Sequence, residues 1–594
     1  MQLRLAVRLA AFMAGAVLVA LVFLVHTPRA SACGCFTPPD PSVPIVQAGE
    51  RIAFQIENGI VTAHIQIQYS GKADEFGWLL PLPAVPELGP GTDELFVQLI
   101  QQTQPLYKLV AEYKGNCSFD PNRSGGGNTS VGGGGDSASP PEAGGGDPLV
   151  FREAVGPYDA VVLRADSKDE MLQWLEDNGF FVPAGTDDAV TPYIREGAYF
   201  LALKLLKGKD QGDIQPIVVK YASDYPMIPL VLTSVAADPD MPIMAWVLGD
   251  ARAIPRNYYH TKLNDAELDW LNAGDNYIKV VTDAVDETPG RPHSFVTEFA
   301  GSSSIMVDLL DDAERFGDLD QLRAITGAVN FVEYLIANRF TTVGATSPPF
   351  FAPSFTSQVL AILQAQLPVP AKLLDWLTEQ GGTVNDYYLS MGYYVDSFRS
   401  ERPDLFEDLD LEFDPVALTN ELEERVVIPT RAAGELFRKN PYMTRLFTTM
   451  SPNEMTVDPV FSFNPELRDV SNVHEGRLIY YCGIIGNDSP TTTPARIITE
   501  SGWQLKLPHG TQDNPWKDVG WPKSQRIEVE HEEGESEVIV DNTDEIAAFI
   551  EARSPSSGGC SAGAGSGAAG GLGLAAFAAL VLAGRRRRGE RRPG

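Results

Sequence analysis

Between residues 51 and 69 apolar and polar side chains alternate with a period of two. Ile52, Phe54 and Ile56 interleave with Arg51, Gln55 and Glu57, and after Asn58-Gly59 the series resumes as Val61, Ala63, Ile65, Ile67 and Tyr69 against Thr62, His64, Gln66 and Gln68. The pattern predicts a β-hairpin with one buried face, because Asn-Gly tolerates the two positive φ angles of a type I′ turn. His64 is then expected on the exposed polar face. Phe76 to Pro86 reads as an extended, proline-edged strand.

Farther along, Ser167 with Glu170 forms a capping box for a helix that puts Met171, Trp174 and Leu175 on one face and stops at Gly179. Strand-like runs follow at 199–206, 214–221, 228–235 and 243–248, with a turn at Asp238-Pro-Asp240, and a second capping box, Asn264 with Glu267, predicts a short helix through Leu268 and Leu271. From Ile305 to Asn440 the period becomes helical, with buried stripes such as Leu322, Ile325, Val329 and Val332, and Asp414-Pro415 places a cap before a first-turn proline. Strands are predicted again at 477–485, 495–499, 503–507 and 527–530, and a helix at 545–552.

The expected fold class is therefore α+β, with a β-rich N-terminal region (33–114), a Gly-rich linker or loop (115–148), an α+β region (149–300), a helical region (301–442) and a β-rich C-terminal region (443–552). The glycine runs between Gly125 and Gly146 bury too little apolar surface to offset chain entropy, and no strand-then-helix frame makes them a phosphate cradle.

Both ends carry apolar runs of another kind. Arg4 and Arg8 precede an unbroken apolar stretch from Leu9 to Val25, followed by Ala30-Ser31-Ala32, the order of a secretory signal cut by signal peptidase between Ala32 and Cys33. An acylated lipoprotein cysteine at Cys33 is a second reading, although Ala30 stands where a large aliphatic residue is usual. An uncleaved anchor is a third. At the other end a linker (553–559) leads to Gly559-Cys560, a short Gly- and Ala-rich apolar segment over 571–584, and Arg585 to Arg588 with Arg591 and Arg592. Arginines after an apolar helix stay cytoplasmic, which puts the chain before Cys560 across the membrane. This tail (560–594) resembles the myxobacterial C-terminal sorting signal. The resemblance implies a single-pass helix, cut near Cys560 by a tail-processing membrane protease, and retention at the outer membrane or cell surface.

Composition narrows what the exported part can do. The whole chain has a net charge of −33, and removing three arginines of the signal and five net positive charges of the tail leaves 33–560 at about −41. That sign repels nucleic acid and anionic lipid and favours a solvated acidic surface. Of the five cysteines, Cys33, Cys35, Cys117 and Cys482 remain once Cys560 is assigned to the tail. Disulfides are the expectation in an oxidising compartment, and spacing alone leaves all three pairings open. Cys33-Gly-Cys35 is too tight for a zinc knuckle.

Catalytic patterns are sparse. His474-Glu475 and His531-Glu532 lack the second histidine of a zinc helix, and no Walker loop or nucleophile elbow occurs. A triad would have to draw on His64, His260, His293, His474, His509 or His531, none favoured by a local motif. Asp404, Glu407, Asp408, Asp410, Glu412 and Asp414 invite a calcium reading, but they lack the glycine of a tight loop and interleave with Leu409, Leu411 and Phe413 as in an amphipathic strand. Catalytic, cofactor-binding and metal-ligating residues are accordingly left unassigned.

Three segments carry a family resemblance: Ala48 to Phe54, His64 to Ser70-Gly71 with Phe76 to Pro83, and Thr444 to Asn464. They resemble the bacterial family called domain of unknown function 2330, whose members are typically exported with cysteines near the mature start. The family offers no established catalytic residues to carry over. The resulting expectation is a non-catalytic binding or structural protein of the bacterial envelope. A surface hydrolase with a non-local active site is the alternative. A pocket joining a histidine to a buried carboxylate and a Ser or Cys would favour hydrolysis, and an open groove lined with aromatics would favour binding. Asp458 to Asn464 is the first place to look.

Overall fold

A computed structural model describes residues 49–67, 77–117, 149–180, 185–206, 214–290, 293–310, 312–342, 354–407, 409–483 and 488–554. The chain divides after Arg553 into two units, and the elements below belong to the first.

The predicted hairpin is present as β1 (Glu50–Glu57) and β2 (Ile60–Ile67), with Asn58 and Gly59 at φ 53° and 73°. It sits inside a ten-stranded mixed sheet and not at an edge. From β1 the sheet continues in one direction through β10 (Met241–Gly249, parallel to β1), β14 (Tyr442–Met450), β13 (Ser294–Ser302), β12 (Tyr259–Leu263), β19 (Ser524–Val529) and β20 (Glu537–Asp541). In the other direction it runs through β2 to β9 (Ile217–Ala222) and β4 (Glu87–Pro90). Strands from the N-terminal, middle and C-terminal regions are thus neighbours in one sheet.

Both faces of this sheet are covered, so its central strands are apolar on both sides. Ile243, Ala245 and Val247 of β10 face a core that they share with Ile52 and Phe54 of β1 and with a four-stranded sheet of β3 (Trp78–Leu82), β6 (Leu149–Val155), β7 (Tyr158–Arg164) and β8 (Tyr199–Leu205). The helix Lys168–Asp177 packs Met171 and Leu175 on the far side of that small sheet, capped by Ser167 as predicted. Met244, Trp246 and Leu248 face the opposite way, toward the helices Asp93–Thr103, Tyr277–Asp286 and Ile428–Lys439. A second four-stranded sheet, β5 (Leu106–Lys114), β16 (Val473–Tyr481), β17 (Ala495–Ile498) and β18 (Gln504–Leu507), closes the same core.

The helical middle builds its own core around Phe331, Leu335, Leu363, Leu377, Tyr387 and Leu418. Asp414 caps the helix Pro415–Leu422 through Val416 N and Ala417 N. The structure bears out an α+β chain with β-rich ends and a helical middle.

Several local expectations are corrected. His64 is buried, 5% exposed, because the helix Asp93–Thr103 covers the polar face of the hairpin, where Gln66 donates to Asp93 and accepts from Arg51. The run 228–235 is not a strand: Leu230–Thr233 is a short helix, since Pro229 lacks a ladder donor and Asp458 accepts from Val231 N at 2.9 Å. Asn264 does not cap an α-helix. Its side chain accepts from Ala266 N and donates to Pro522 O, and only a 3₁₀ turn, Trp270–Asn272, follows. Residues 409–413 form no strand, and Leu409, Leu411 and Phe413 pack directly on the helical core.

Candidate functional site

An open groove lies on the core-facing side of the β5–β16 sheet. These strands run parallel, with Tyr107 opposite His474, Ala111 opposite Leu478 and Tyr113 opposite Tyr480. Tyr107, Leu109, Leu478 and Tyr480 floor a cavity of about 670 Å³, walled by Asp269 to Ala273 on one side and by Thr511, Gln512, Asn514 and Lys517 on the other. An adjoining cavity of about 380 Å³ shares Asp269, Trp270, Asn514 and Lys517 and extends past Glu267, Lys279, Trp516 and Trp521.

Local sequence explains the wall. After Trp270–Asn272 the chain takes left-handed conformations at Ala273 (φ 52°) and Gly274 (φ 78°). A Cβ on Gly274 would lie 2.7 Å from Tyr107 Cδ2, so glycine is what lets this turn lie against the floor. The indole N–H groups are satisfied by backbone: Trp270 donates to Asp265 O (2.6 Å), Trp516 to Lys506 O (2.8 Å) and Trp521 to Trp516 O (3.2 Å). Their rings pack into the core, with Trp270, Trp516 and Trp521 only 3%, 4% and 7% exposed. Trp270 meets Tyr107 edge-on at 5.4 Å, Trp516 stacks on Trp521 at 5.6 Å, and Tyr480 stacks on Tyr113 at 5.5 Å.

Two carboxylates give the groove its polarity. Asp269 is 6% exposed; its Oδ2 accepts from Asn272 Nδ2 (3.0 Å) and Lys517 Nζ (3.3 Å), while Oδ1 is buried without a hydrogen-bond partner. Glu267 Oε1 lies 3.4 Å from Lys279 Nζ, and its Oε2 is likewise buried and unpartnered. Burial, opposed by Lys279 and reinforced by Asp283, pushes the Glu267 carboxyl up to about 7.

Beneath the floor a polar network ties the groove to the large sheet. Tyr107 packs on Tyr277, whose hydroxyl donates to Glu298 Oε1 at 2.6 Å. Glu298 Oε2 is 2.5 Å from Arg445 Nε, with both side chains fully buried; the contact is an ion pair and not an aligned hydrogen bond. Arg445 Nη1 and the Trp246 indole both donate to Thr103 Oγ1. On its other side Tyr107 stacks on His474, which pairs with Glu500 at 2.6 Å. The Cys117–Cys482 disulfide joins the two floor strands just past their last pair, Lys114 with Tyr481.

Of the cysteines with open pairing, Cys117 and Cys482 are therefore bonded to each other, whereas Cys33 and Cys35 lie outside the described residues, as do Ala32 and Cys560. The histidines are dispersed. His260 lies 3.8 Å from both Glu528 and Glu530, His293 meets Glu454 O and Thr456 Oγ1, and His531 lies near Glu537. None of these contacts is to a serine or cysteine. Asp458 to Asn464 is a structural joint: Asp458 accepts from Tyr193 and Val231, and Asn464 donates to His531 O and Gly534 O. In the acidic stretch Asp414 caps a helix and Asp410 accepts from Glu412 N. Among the described residues no group of three or more His, Cys, Asp or Glu is placed to hold a metal ion, and no helix is long and apolar enough to cross a membrane.

Sequence reasoning did not single out the groove residues. The available signal was composition, since Trp270, Trp516 and Trp521 sit in Asp-, Asn- and Gly-rich segments, Asp269 to Asp275 and Thr511 to Trp521. What brings these segments together is the parallel pairing of strands far apart in the chain.

No curated protein and no solved structure matches the chain. A family described as an uncharacterized protein conserved in bacteria, domain of unknown function 2330, matches residues 27–340, more than half of the sequence. The match includes Tyr107 and Asp269 to Ala273 and ends before Tyr480 and Thr511 to Lys517. The quoted segments Ala48 to Phe54 and His64 to Pro83 fall within it, and Thr444 to Asn464 falls beyond it. On this match the chain belongs to the bacterial family called domain of unknown function 2330.

Proposed function

We propose that this is an exported, non-catalytic binding protein of the bacterial envelope, retained at the cell surface, whose ligand lies in the groove between Asp269–Ala273 and Thr511–Lys517. The observation that carries the binding role is the groove itself, an open cavity of about 670 Å³ adjoining one of about 380 Å³ and rimmed by Asn272, Gln512, Asn514 and Lys517. Export is supported by the signal-like start, the arginine-ended tail and a disulfide between cysteines 365 residues apart, a bond that persists in oxidising compartments.

One observation favours the hydrolytic alternative. Glu267, with its pKa raised to about 7, is poised as a general acid two positions from Asp269. Incubating the folded protein with separated glycan, peptide and lipid fractions of the envelope divides the two readings. Retention of one fraction with its mass unchanged supports binding, and new, smaller products identify a hydrolase. Intact-mass analysis of protein from washed native membranes tests the location. Termini at Cys33 and near Cys560 are expected, and a retained Arg585 to Gly594 contradicts surface sorting.

A further inference from the structure

We infer that the partner at the groove is an extended peptide segment that adds to the free edge of β5 as a fifth strand, with apolar side chains beside Leu109 and Ala111 and carboxylates beside Lys108 and Lys114. The inference rests on the binding reading above and names its partner class.

Among the described residues β5 is the longest strand at any sheet edge, nine residues without a proline and in unbroken register with β16. Leu106 N donates to Asn472 O (2.7 Å) and Lys114 O accepts from Cys482 N (2.9 Å), so even-numbered residues turn their backbone groups toward β16 and odd-numbered ones turn theirs outward. The outward N–H and C=O groups of Leu109 and Ala111 hydrogen-bond to no described residue, and such a row is the template for strand addition. The strand is also accessible: Val110 is 49% exposed, and Lys108, Ala111 and Lys114 lie at the surface. The Cys117–Cys482 bond fixes β5 to β16 just beyond its end, so the edge is ordered before a partner arrives. Alternate side chains of an added strand fall on the face of Leu109, beside the cavity of about 670 Å³ that Tyr107 and Leu109 line.

Charge selects the sequence of that segment. The exported part carries about −41, yet the face of this sheet turned away from the core holds Lys108, Lys114, Arg477, Arg496 and Lys506. Its carboxylates are Glu112, which accepts from Arg477 at 3.1 Å, and Glu475. At physiological salt, charges more than about 8 Å away are largely screened, so these near cations decide. Lys108 and Lys114 stand six residues apart along the free edge, and acidic side chains at the same spacing on one face of the added strand meet both. The other face of that strand meets Leu109 and Ala111 and is apolar.

The test is calorimetric titration of the folded chain with an end-blocked heptapeptide, Asp-Val-Thr-Val-Thr-Val-Glu, and with the same peptide carrying lysine at both ends. The acidic peptide is expected to bind. Ala111→Pro removes an outward donor at a position where edge strands accept proline, and weakens it about tenfold. Lys108→Glu combined with Lys114→Glu weakens it severalfold and makes the lysine-ended peptide the better ligand. Both lysines are at the surface, so the double variant keeps the test valid if Ala111→Pro fails to fold. Absence of binding by the acidic peptide at millimolar concentration overturns the inference, as do binding unchanged in both variants and equal binding of the two peptides to the native chain. Gln512→Ala, at the cavity rim, judges the groove reading separately. An envelope fraction whose binding is sensitive to Gln512→Ala, but not to Ala111→Pro or the charge reversal, would overturn the strand edge and leave the groove as the binding site. If no fraction is sensitive to any of these variants, the groove reading falls as well.

Discussion

Cys117 and Cys482, 365 residues apart in the chain, are bonded just beyond Lys114 and Tyr481, the last paired residues of the two strands that floor the groove. Because β5 and β16 come from opposite ends of the folded region, the bond closes a very long loop and holds the floor in register. Cys117→Ser is expected to lower the unfolding free energy by about 2–4 kcal/mol. Non-reducing peptide mapping checks the pairing, and a Cys33 or Cys35 partner for either cysteine would contradict it.

The buried pair of Arg445 and Glu298 should behave as a unit. Arg445→Met leaves the Glu298 carboxylate buried with only Tyr277 to donate to it, and a loss of about 3–5 kcal/mol is expected in urea unfolding. Adding Glu298→Gln to that variant should recover a large part of the loss. If the double variant is no more stable than the single one, the pair is not coupled.

Gly274 separates groove shape from groove chemistry. Gly274→Ala adds a methyl 2.7 Å from Tyr107 Cδ2 at a φ of 78°, so the Tyr107 ring must move. The expected result is a stability loss of about 1–2 kcal/mol with weakened ligand binding. Unaltered affinity would show that Tyr107 does not contribute to the site.

Much of this chain was readable in advance because local rules governed it. The Asn58-Gly59 turn, the Ser167 cap and the Asp414-Pro415 helix start depend on neighbours within a few residues, and each is found as predicted. What was not legible depended on distant partners. The alternation in β1 and β2 reads as a half-exposed hairpin, yet the helix Asp93–Thr103 covers its polar face, so His64 and Arg51 are buried. The helix Tyr277–Asp286 has helical spacing in Tyr277, Val280, Val281, Ala284 and Val285, but its valines lower helix propensity and no side-chain cap marks its start, so no element is predicted there. The groove was invisible for the same reason: its floor pairs residues near 107 with residues near 474, and its walls come from 269 and 511.

His64 sets part of the acid limit of stability. Burial holds its imidazole down at about 4, against an ordinary value of 6.5. A depressed folded pKa means the contribution is complete above about pH 6.5 and is lost as pH falls toward 4, a total of about 3 kcal/mol by linkage. Asp93, pushed up to about 6 by burial, acts in the opposite sense, favouring the fold below its ordinary value and losing that contribution as pH rises. In His64→Leu the fall in stability between about pH 6.5 and pH 4 should shrink by roughly 3 kcal/mol. An identical fall in both proteins would place that acid sensitivity elsewhere.

The most direct measurement is hydrogen exchange on the folded chain, with and without each separated envelope fraction. Binding in the groove predicts slowed exchange in 265–279 and 505–523 together, with the far small sheet around Tyr158–Arg164 unchanged. Protection confined to any other surface, or none with any fraction, would contradict the groove as the functional site.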